Sequence, residues 1–174
     1  RSSVVPLVTE AFDWDHGVFL GATAASETTA AIIGKVGVLR RDPFAMTPFC
    51  GYNMADYFQH WLEMGDRMGR QAPRIFYVNW FRKGADGKWL WPGFGENSRV
   101  LKWMCERLEG KVGARKTPIG YLPEEGDLDL TGLTLPLANI SELLKVKSET
   151  WKAELSDIEE FFAQFGSRLP KRLK

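Results

Sequence analysis

The sequence predicts a mixed α/β fold in which short strands and one hairpin pack with helices. Three observations predict it. Aromatic and β-branched residues crowd both sides of a polar segment, 83–88, that contains Asp86-Gly87, the pattern of a hairpin. Apolar residues recur at helical spacing at Met54, Tyr57, Phe58, Trp61 and Leu62, and again at Val100, Leu101, Met104 and Leu108. Short apolar runs bounded by turn residues, 4–12 and 17–23, read as strands.

In chain order, the two runs flank Asp13-Trp14-Asp15-His16-Gly17, a turn-like segment, and are expected to be neighbouring strands. Residues 24–38 are rich in Ala, which favours a helix, but Ser26, Thr28 and Thr29 interrupt one and Gly34 and Gly37 follow; a mobile loop with some helical character is expected. Asn53 is placed to cap the next helix and Gly65 to stop it. The hairpin comes next, its second arm ending at Pro92-Gly93. A tight turn, Phe94-Gly95-Glu96-Asn97, then enters a helix capped by Asn97 or Ser98 and ended by Gly110. Residues 113–129 are loop-rich, and 130–140 supply apolar anchors with a break at Pro136. A last helix over 148–165 puts Trp151, Leu155, Ile158, Phe162 and Phe165 on one face, and Lys171, Arg172 and Lys174 form a solvated tail.

The 174 residues are one domain's worth, and Lys+Arg 23 against Asp+Glu 22 leaves no whole-chain pull toward nucleic acid or an anionic membrane. No apolar run is long enough to span a bilayer, and the first residues lack the charged and apolar regions of a signal peptide. Cys50 and Cys105 have no metal or redox spacing, and His16 and His60 are too few and too scattered for a metal cluster. A cytoplasmic protein is expected. The chain lacks an initiator Met and starts almost inside a strand, which reads as a piece of something longer.

Two motifs are weighed for chemistry. Gly110-Lys111-Val112-Gly113-Ala114-Arg115-Lys116-Thr117 nearly spells a phosphate-binding P-loop, but Arg115 stands where the second Gly belongs. The run also follows a helix, and Thr117-Pro118 blocks the helix that should come next, so a basic surface loop is expected. The second is the aromatic cluster of Phe76, Tyr77, Trp80, Phe81, Trp89, Trp91 and Phe94 with Asn97 beside it. Flat rings and a side-chain amide are what a nucleobase needs, stacking on its faces and hydrogen bonds on its edge. The same rings also serve an ordinary core, and Glu96 or Asn97 an ordinary helix cap.

Asn79-Trp80-Phe81-Arg82-Lys83, followed by Trp91-Pro92-Gly93-Phe94-Gly95-Glu96-Asn97-Ser98-Arg99, closely resembles the C-terminal part of GTP-dependent phosphoenolpyruvate carboxykinases. So do Asp42-Pro43-Phe44-Ala45-Met46, Pro48-Phe49, Gly51-Tyr52-Asn53 and His60-Trp61-Leu62, and the similarity runs from about Val5 to the last helix. The resemblance implies that 1–174 is the C-terminal part of the carboxykinase nucleotide-binding domain. The family interconverts oxaloacetate and GTP with phosphoenolpyruvate, carbon dioxide and GDP, a step of gluconeogenesis. It further implies that 75–97 binds guanine: the rings of Phe81 and Phe94 sandwich the base, Trp89 (Phe in familiar relatives) borders it, and Gly95, Glu96 and Asn97 form the turn that reads its edge. Residues 26–37 correspond to the active-site lid, with Ser26, Glu27, Thr28, Thr29, Ala30 and Ala31 in it and Gly34 and Gly37 as hinge. The family's P-loop, the ligands of its divalent metal (Mn or Mg) and most substrate-binding arginines are expected upstream in the same protein. No catalytic residue and no metal ligand is then expected here, and the segment alone is expected to be inactive. The competing reading is a non-catalytic module whose aromatic hairpin takes a peptide, a sugar or single-stranded nucleic acid.

Overall fold

Leu7 and Val8 are fully shielded from solvent because the first strand has a neighbour on each side in the computed structural model, which describes residues 4–27 and 39–174. In chain order the elements are β1 (Val8–Glu10), α1 (Trp14–Ala22), β2 (Ala25–Glu27), β3 (Leu39–Arg41), α2 (Met54–Met68), β4 (Phe76–Val78), α3 (Asn97–Leu108), β5 (Arg115–Thr117), β6 (Gly120–Leu122), α4 (Leu137–Leu143) and α5 (Ser148–Ala163). The fold is mixed α/β, as expected. The described residues fall into two units, one drawn from Asp13–Pro73 and Lys152–Lys174, the other from Ser2–Phe12 and Arg74–Trp151.

The second unit holds an antiparallel sheet in the order β4-β1-β6-β5. Val8 faces Val78, and Glu10 faces both Phe76 and Tyr121. Leu7, Val8, Leu90, Trp91, Val100, Trp103, Ile140 and Leu143 form its core. Glu10 is buried there because two cations meet its carboxylate, Arg107 Nη2 at 2.9 Å and Arg74 Nη1 at 3.2 Å. On α3 the buried residues are Val100 and Trp103, whereas Leu101 and Leu108 of the expected stripe are exposed. Gly110 ends the helix in a left-handed conformation (φ 71°), and the Lys111 N–H returns to the Glu106 carbonyl at 2.8 Å. The P-loop-like run ends in a strand, β5, that pairs back on β6, so no helix N-terminus follows it. The same hairpin gives regular structure to the region expected to be loop-rich.

The other unit is mostly helical and corrects several expectations. Residues 17–23 were expected as a strand, but 17–22 lie in α1: Asp13 accepts the His16 N–H at 2.8 Å and starts a helix that buries Gly17, Val18 and Ala22. Asn53 caps α2 as expected, its side chain accepting the Ala55 N–H at 2.9 Å. Gly65 does not stop that helix. A Cβ at Gly65 would lie 2.2 Å from Trp14 Cδ1, so the glycine makes room for the indole, whose N–H donates to the Trp61 carbonyl at 2.7 Å. The helix ends at Gly69, where φ is 52°. On α5, Ile158 and Phe162 are buried but Leu155 is exposed. Phe49, in a hydrogen-bonded turn, is exposed too. The C-terminus is no loose tail: Leu169 and Leu173 are buried, and Arg172 donates to Asp15 at 2.7 Å and to Asp66 at 2.8 Å. Among the described residues no helix is long and apolar enough to cross a membrane.

Candidate functional site

The arms flanking Asp86-Gly87 meet over a short stretch. The Asp86 carboxylate accepts the Lys88 N–H at 3.1 Å, and Gly87 takes the positive φ (77°) that the turn requires. Gly84 N–H to Lys88 O and Leu90 N–H to Arg82 O, both 2.9 Å, close the arms around a single bridge between Lys83 and Trp89. The hairpin is shorter than its composition implied because β4 pairs with β1 instead. The Asn79 side-chain oxygen, Oδ1, then accepts the Phe81 N–H at 3.1 Å and bends the chain, while Leu90 and Trp91 leave the second arm for the core.

This geometry sorts the aromatic cluster. Trp91 is 1% exposed and belongs to the core. Phe81, Trp89 and Phe94 are 60%, 51% and 98% exposed. Phe81 and Trp89 meet edge to face, centroids 5.8 Å apart, and Lys83 Nζ stands 4.4 Å from the Trp89 ring centre, where its charge favours the π-face. Among the described residues no ring contact joins Phe94 to either. Phe94 sits at φ 23°, unusual for a residue with a side chain, directly after Gly93 at φ 80°. A bare ring on a strained backbone is the kind of feature that clusters at ligand sites.

Phe94, Gly95 and Glu96 form one 3-10 turn, closed by the Glu96 N–H to the Gly93 carbonyl at 2.9 Å, and Asn97 opens α3. Neither Asn97 nor Ser98 caps that helix through its side chain. Asn97 Oδ1 accepts the Trp91 Nε1–H at 2.8 Å, and Ser98 Oγ donates to the Gly95 carbonyl at 2.8 Å. Behind them the Arg99 guanidinium pairs with Glu96 and donates to the Asp129 carbonyl at 2.6 Å. Lys102 reaches the Asp129 carboxylate at 2.7 Å; that bond, with support from Thr131, holds the Asp129 carboxyl well below the usual carboxylate range. Gly95, Glu96, Ser98, Arg99, Lys102 and Asp129 line a shallow open recess.

The arm bearing Phe81 is tied down by its neighbour. Arg82 is almost wholly buried, with Nη2 3.3 Å from the Glu142 carboxylate. Burial lowers the Arg82 pKa, yet a guanidinium stays charged, and Lys147 bonds the same carboxylate and keeps Glu142 ionised below its ordinary value. This anchor carried no mark in the sequence, since Arg82 and Glu142 are 60 positions apart.

Of the residues expected in the lid, Ser26 and Glu27 lie in β2, a strand rather than a loop, because Ser26 faces Arg40 and Glu27 faces Leu39 on β3. Ser26 Oγ donates to Asp42 Oδ2 at 3.0 Å. Burial works against the Asp42 charge, but hydrogen bonds from Thr47 and Ser26 outweigh it and lower its pKa. Thr28, Thr29, Ala30, Ala31, Gly34 and Gly37 lie outside the described residues. Among the described residues no group of three or more His, Cys, Asp or Glu is placed to hold a metal ion.

The chain matches, over residues 1–174, the family described as phosphoenolpyruvate carboxykinase C-terminal P-loop domain. It is 53% identical over 175 residues to the phosphoenolpyruvate carboxykinase (GTP) of Arthrobacter sp. (strain FB24), which covers 100% of this chain and 29% of that protein. It is 54% identical over 175 residues to the enzyme of that name from Neocallimastix frontalis, covering 99% of this chain and 29% of the relative. With the Thermoplasma volcanium protein of the same name it shares 53% over 167 residues, 96% of this chain and 28% of the other. The chain thus spans less than a third of the length of these relatives. It belongs to the GTP-dependent phosphoenolpyruvate carboxykinase family, to whose C-terminal domain it corresponds.

Proposed function

We propose that this chain is the guanine-holding, lid-bearing segment of a cytoplasmic protein that converts oxaloacetate and GTP to phosphoenolpyruvate, carbon dioxide and GDP. The observation that carries the reading is the set of three exposed rings, Phe81 and Trp89 in edge-to-face contact and Phe94 on the turn that ends in the half-buried amide of Asn97. A sandwich needs rings held apart, and no ring contact closes Phe94 onto Phe81 or Trp89 among the described residues. Stacking on each ring is worth about 1–3 kcal/mol, and an amide on the base edge adds discrimination, because a wrong base leaves buried groups unpaired.

In this reading Phe81 and Phe94 stack on the base, Trp89 borders it, and Gly95, Glu96 and Asn97 supply the edge contacts. Residues 26–37 act as the cover. The described residues that flank 28–38, Glu27 and Leu39, are paired between β2 and β3. The cover's task is chemical: decarboxylation leaves an enolate, and water must be kept from protonating it before phosphoryl transfer. The divalent metal the family resemblance implies has no ligand set among the described residues, so no step is assigned to it.

The test is titration of the full-length protein with GDP. Phe94→Ala should weaken binding by about 1–3 kcal/mol with little change in thermal stability, since the ring is 98% exposed. Unchanged affinity would remove Phe94 from the site.

A further inference from the structure

The bond between Trp91 and Asn97 carries more than packing. An indole N–H donates and never accepts, so only the oxygen of the Asn97 amide can face it at 2.8 Å. Trp91 itself cannot turn away, being 1% exposed among Leu90, Val100 and Trp103. The two ends of an asparagine amide are alike in shape and opposite in chemistry, and a half-turn exchanges them. Here a buried donor fixes the choice: the oxygen is occupied, and the two Nδ2 hydrogens, which go to no protein acceptor among the described residues, are what the half-buried side chain offers a ligand.

We infer that Trp91 is a positioning residue for base selection: its buried N–H locks Asn97 so that the site presents hydrogen-bond donors, and thereby favours a purine with a carbonyl over one with an amino group on the edge that Asn97 meets. The inference rests on the reading of 75–97 as the base site. With the amide reversed, its oxygen would face the base and accept from an amino group instead. With the amide locked, an amino group on that edge sets N–H against N–H and leaves both unpaired.

The experiment compares GDP and ADP dissociation constants in the full-length protein for wild type, Trp91→Phe, Asn97→Ala, Asn97→Asp and Phe94→Ala. A parallel sample carries 3-benzothienylalanine at position 91, which keeps the bicyclic shape, replaces the N–H by sulfur, and serves where Trp91→Phe fails to fold. Removing the N–H should lower the preference for GDP over ADP by about tenfold or more, because the amide becomes free to reverse. Asn97→Asp should lose the preference as well, since its free oxygen accepts where the amide donated. A preference that survives at position 91 but collapses in Asn97→Ala overturns the positioning role while sparing the base site. Equal weakening of GDP and ADP at position 91 also overturns it, as that is the mark of packing alone. If Asn97→Ala and Phe94→Ala both bind GDP normally, the base-site reading fails and this inference falls with it.

Discussion

Arg41 Nη2 lies 2.6 Å from Oε1 of Glu154, a carboxylate only 3% exposed, while Nη1 of the same guanidinium donates to the Thr23 carbonyl at 2.8 Å. The partners stand 113 positions apart in sequence, and together they fasten β3 to α5. Arg41→Met should cost about 3–5 kcal/mol, because it takes a charged hydrogen-bond partner from the buried Glu154 carboxylate. Adding Glu154→Gln should return part of that loss. Chemical denaturation of the single and double variants measures both, and a cost below about 1 kcal/mol would rank the pair with ordinary surface bridges.

Asp42, at the foot of the same strand pair, makes stability depend on acid. Its folded pKa lies below the ordinary 3.8, so its contribution is complete above that value and is lost as pH falls through the lower folded one. The stability gap between wild type and Asp42→Asn should therefore hold steady from pH 7 to about pH 5 and narrow below about pH 4. Thermal melts across that range give the answer; a gap that widens on acidification would contradict the sign.

At Gly65 a single methyl group should be enough to disturb the helical unit. Its Cβ would sit 2.2 Å from the Trp14 ring, which the Trp61 carbonyl holds in place, so Gly65→Ala should destabilise by about 1–3 kcal/mol despite the better helix propensity of alanine. The control is Trp14→Phe with Gly65→Ala: a smaller ring should relieve much of the clash, and melting temperatures report it.

For the proposed cover, the expected signature is a change of product. Replacing 27–36 in the full-length protein by a short Gly-Ser linker should leave GDP affinity largely intact, slow phosphoenolpyruvate formation and raise the share of oxaloacetate released as pyruvate. NMR of the products would show it. Normal phosphoenolpyruvate output with no added pyruvate would end the case for a lid at 26–37.

The features legible in the sequence were those whose physics is local. Asn53 could be read as a cap because capping chemistry spans two residues, and Gly110 as a stop because only its own left-handed conformation was at stake. Residues 17–22 were misread because an apolar run of that length has no decisive period, and the signal that settles it, Asp13 as a cap, looks like any turn residue. Gly65 was misread for the opposite reason: its role is set by Trp14, 51 positions earlier by number, and no local pattern records it. At the candidate site, composition left the rings divided between core and surface. Burial divided them, with Trp91 inside and Phe81, Trp89 and Phe94 outside. The Asn97 amide looked like a cap from its place at a helix start, and its actual partner became visible only when the chain folded Trp91 beneath it.

The interleaving of the two units has a consequence for how the chain is made. Residues 13–73 cannot complete their core as they leave the ribosome, since Ile158, Phe162, Leu169 and Leu173, which fill it, are synthesised only after the whole of 74–151. The sheet unit waits less, needing β1 from the start and nothing beyond Trp151. Synthesis thus reaches a stage at which the aromatic turn is already framed while α1 and α2 still show their apolar faces to solvent, the stage at which a nascent chain is most open to chaperones and to aggregation. A single cut anywhere between residues 13 and 151 leaves at least one unit split between two fragments, so dissecting this segment by truncation separates neither part whole.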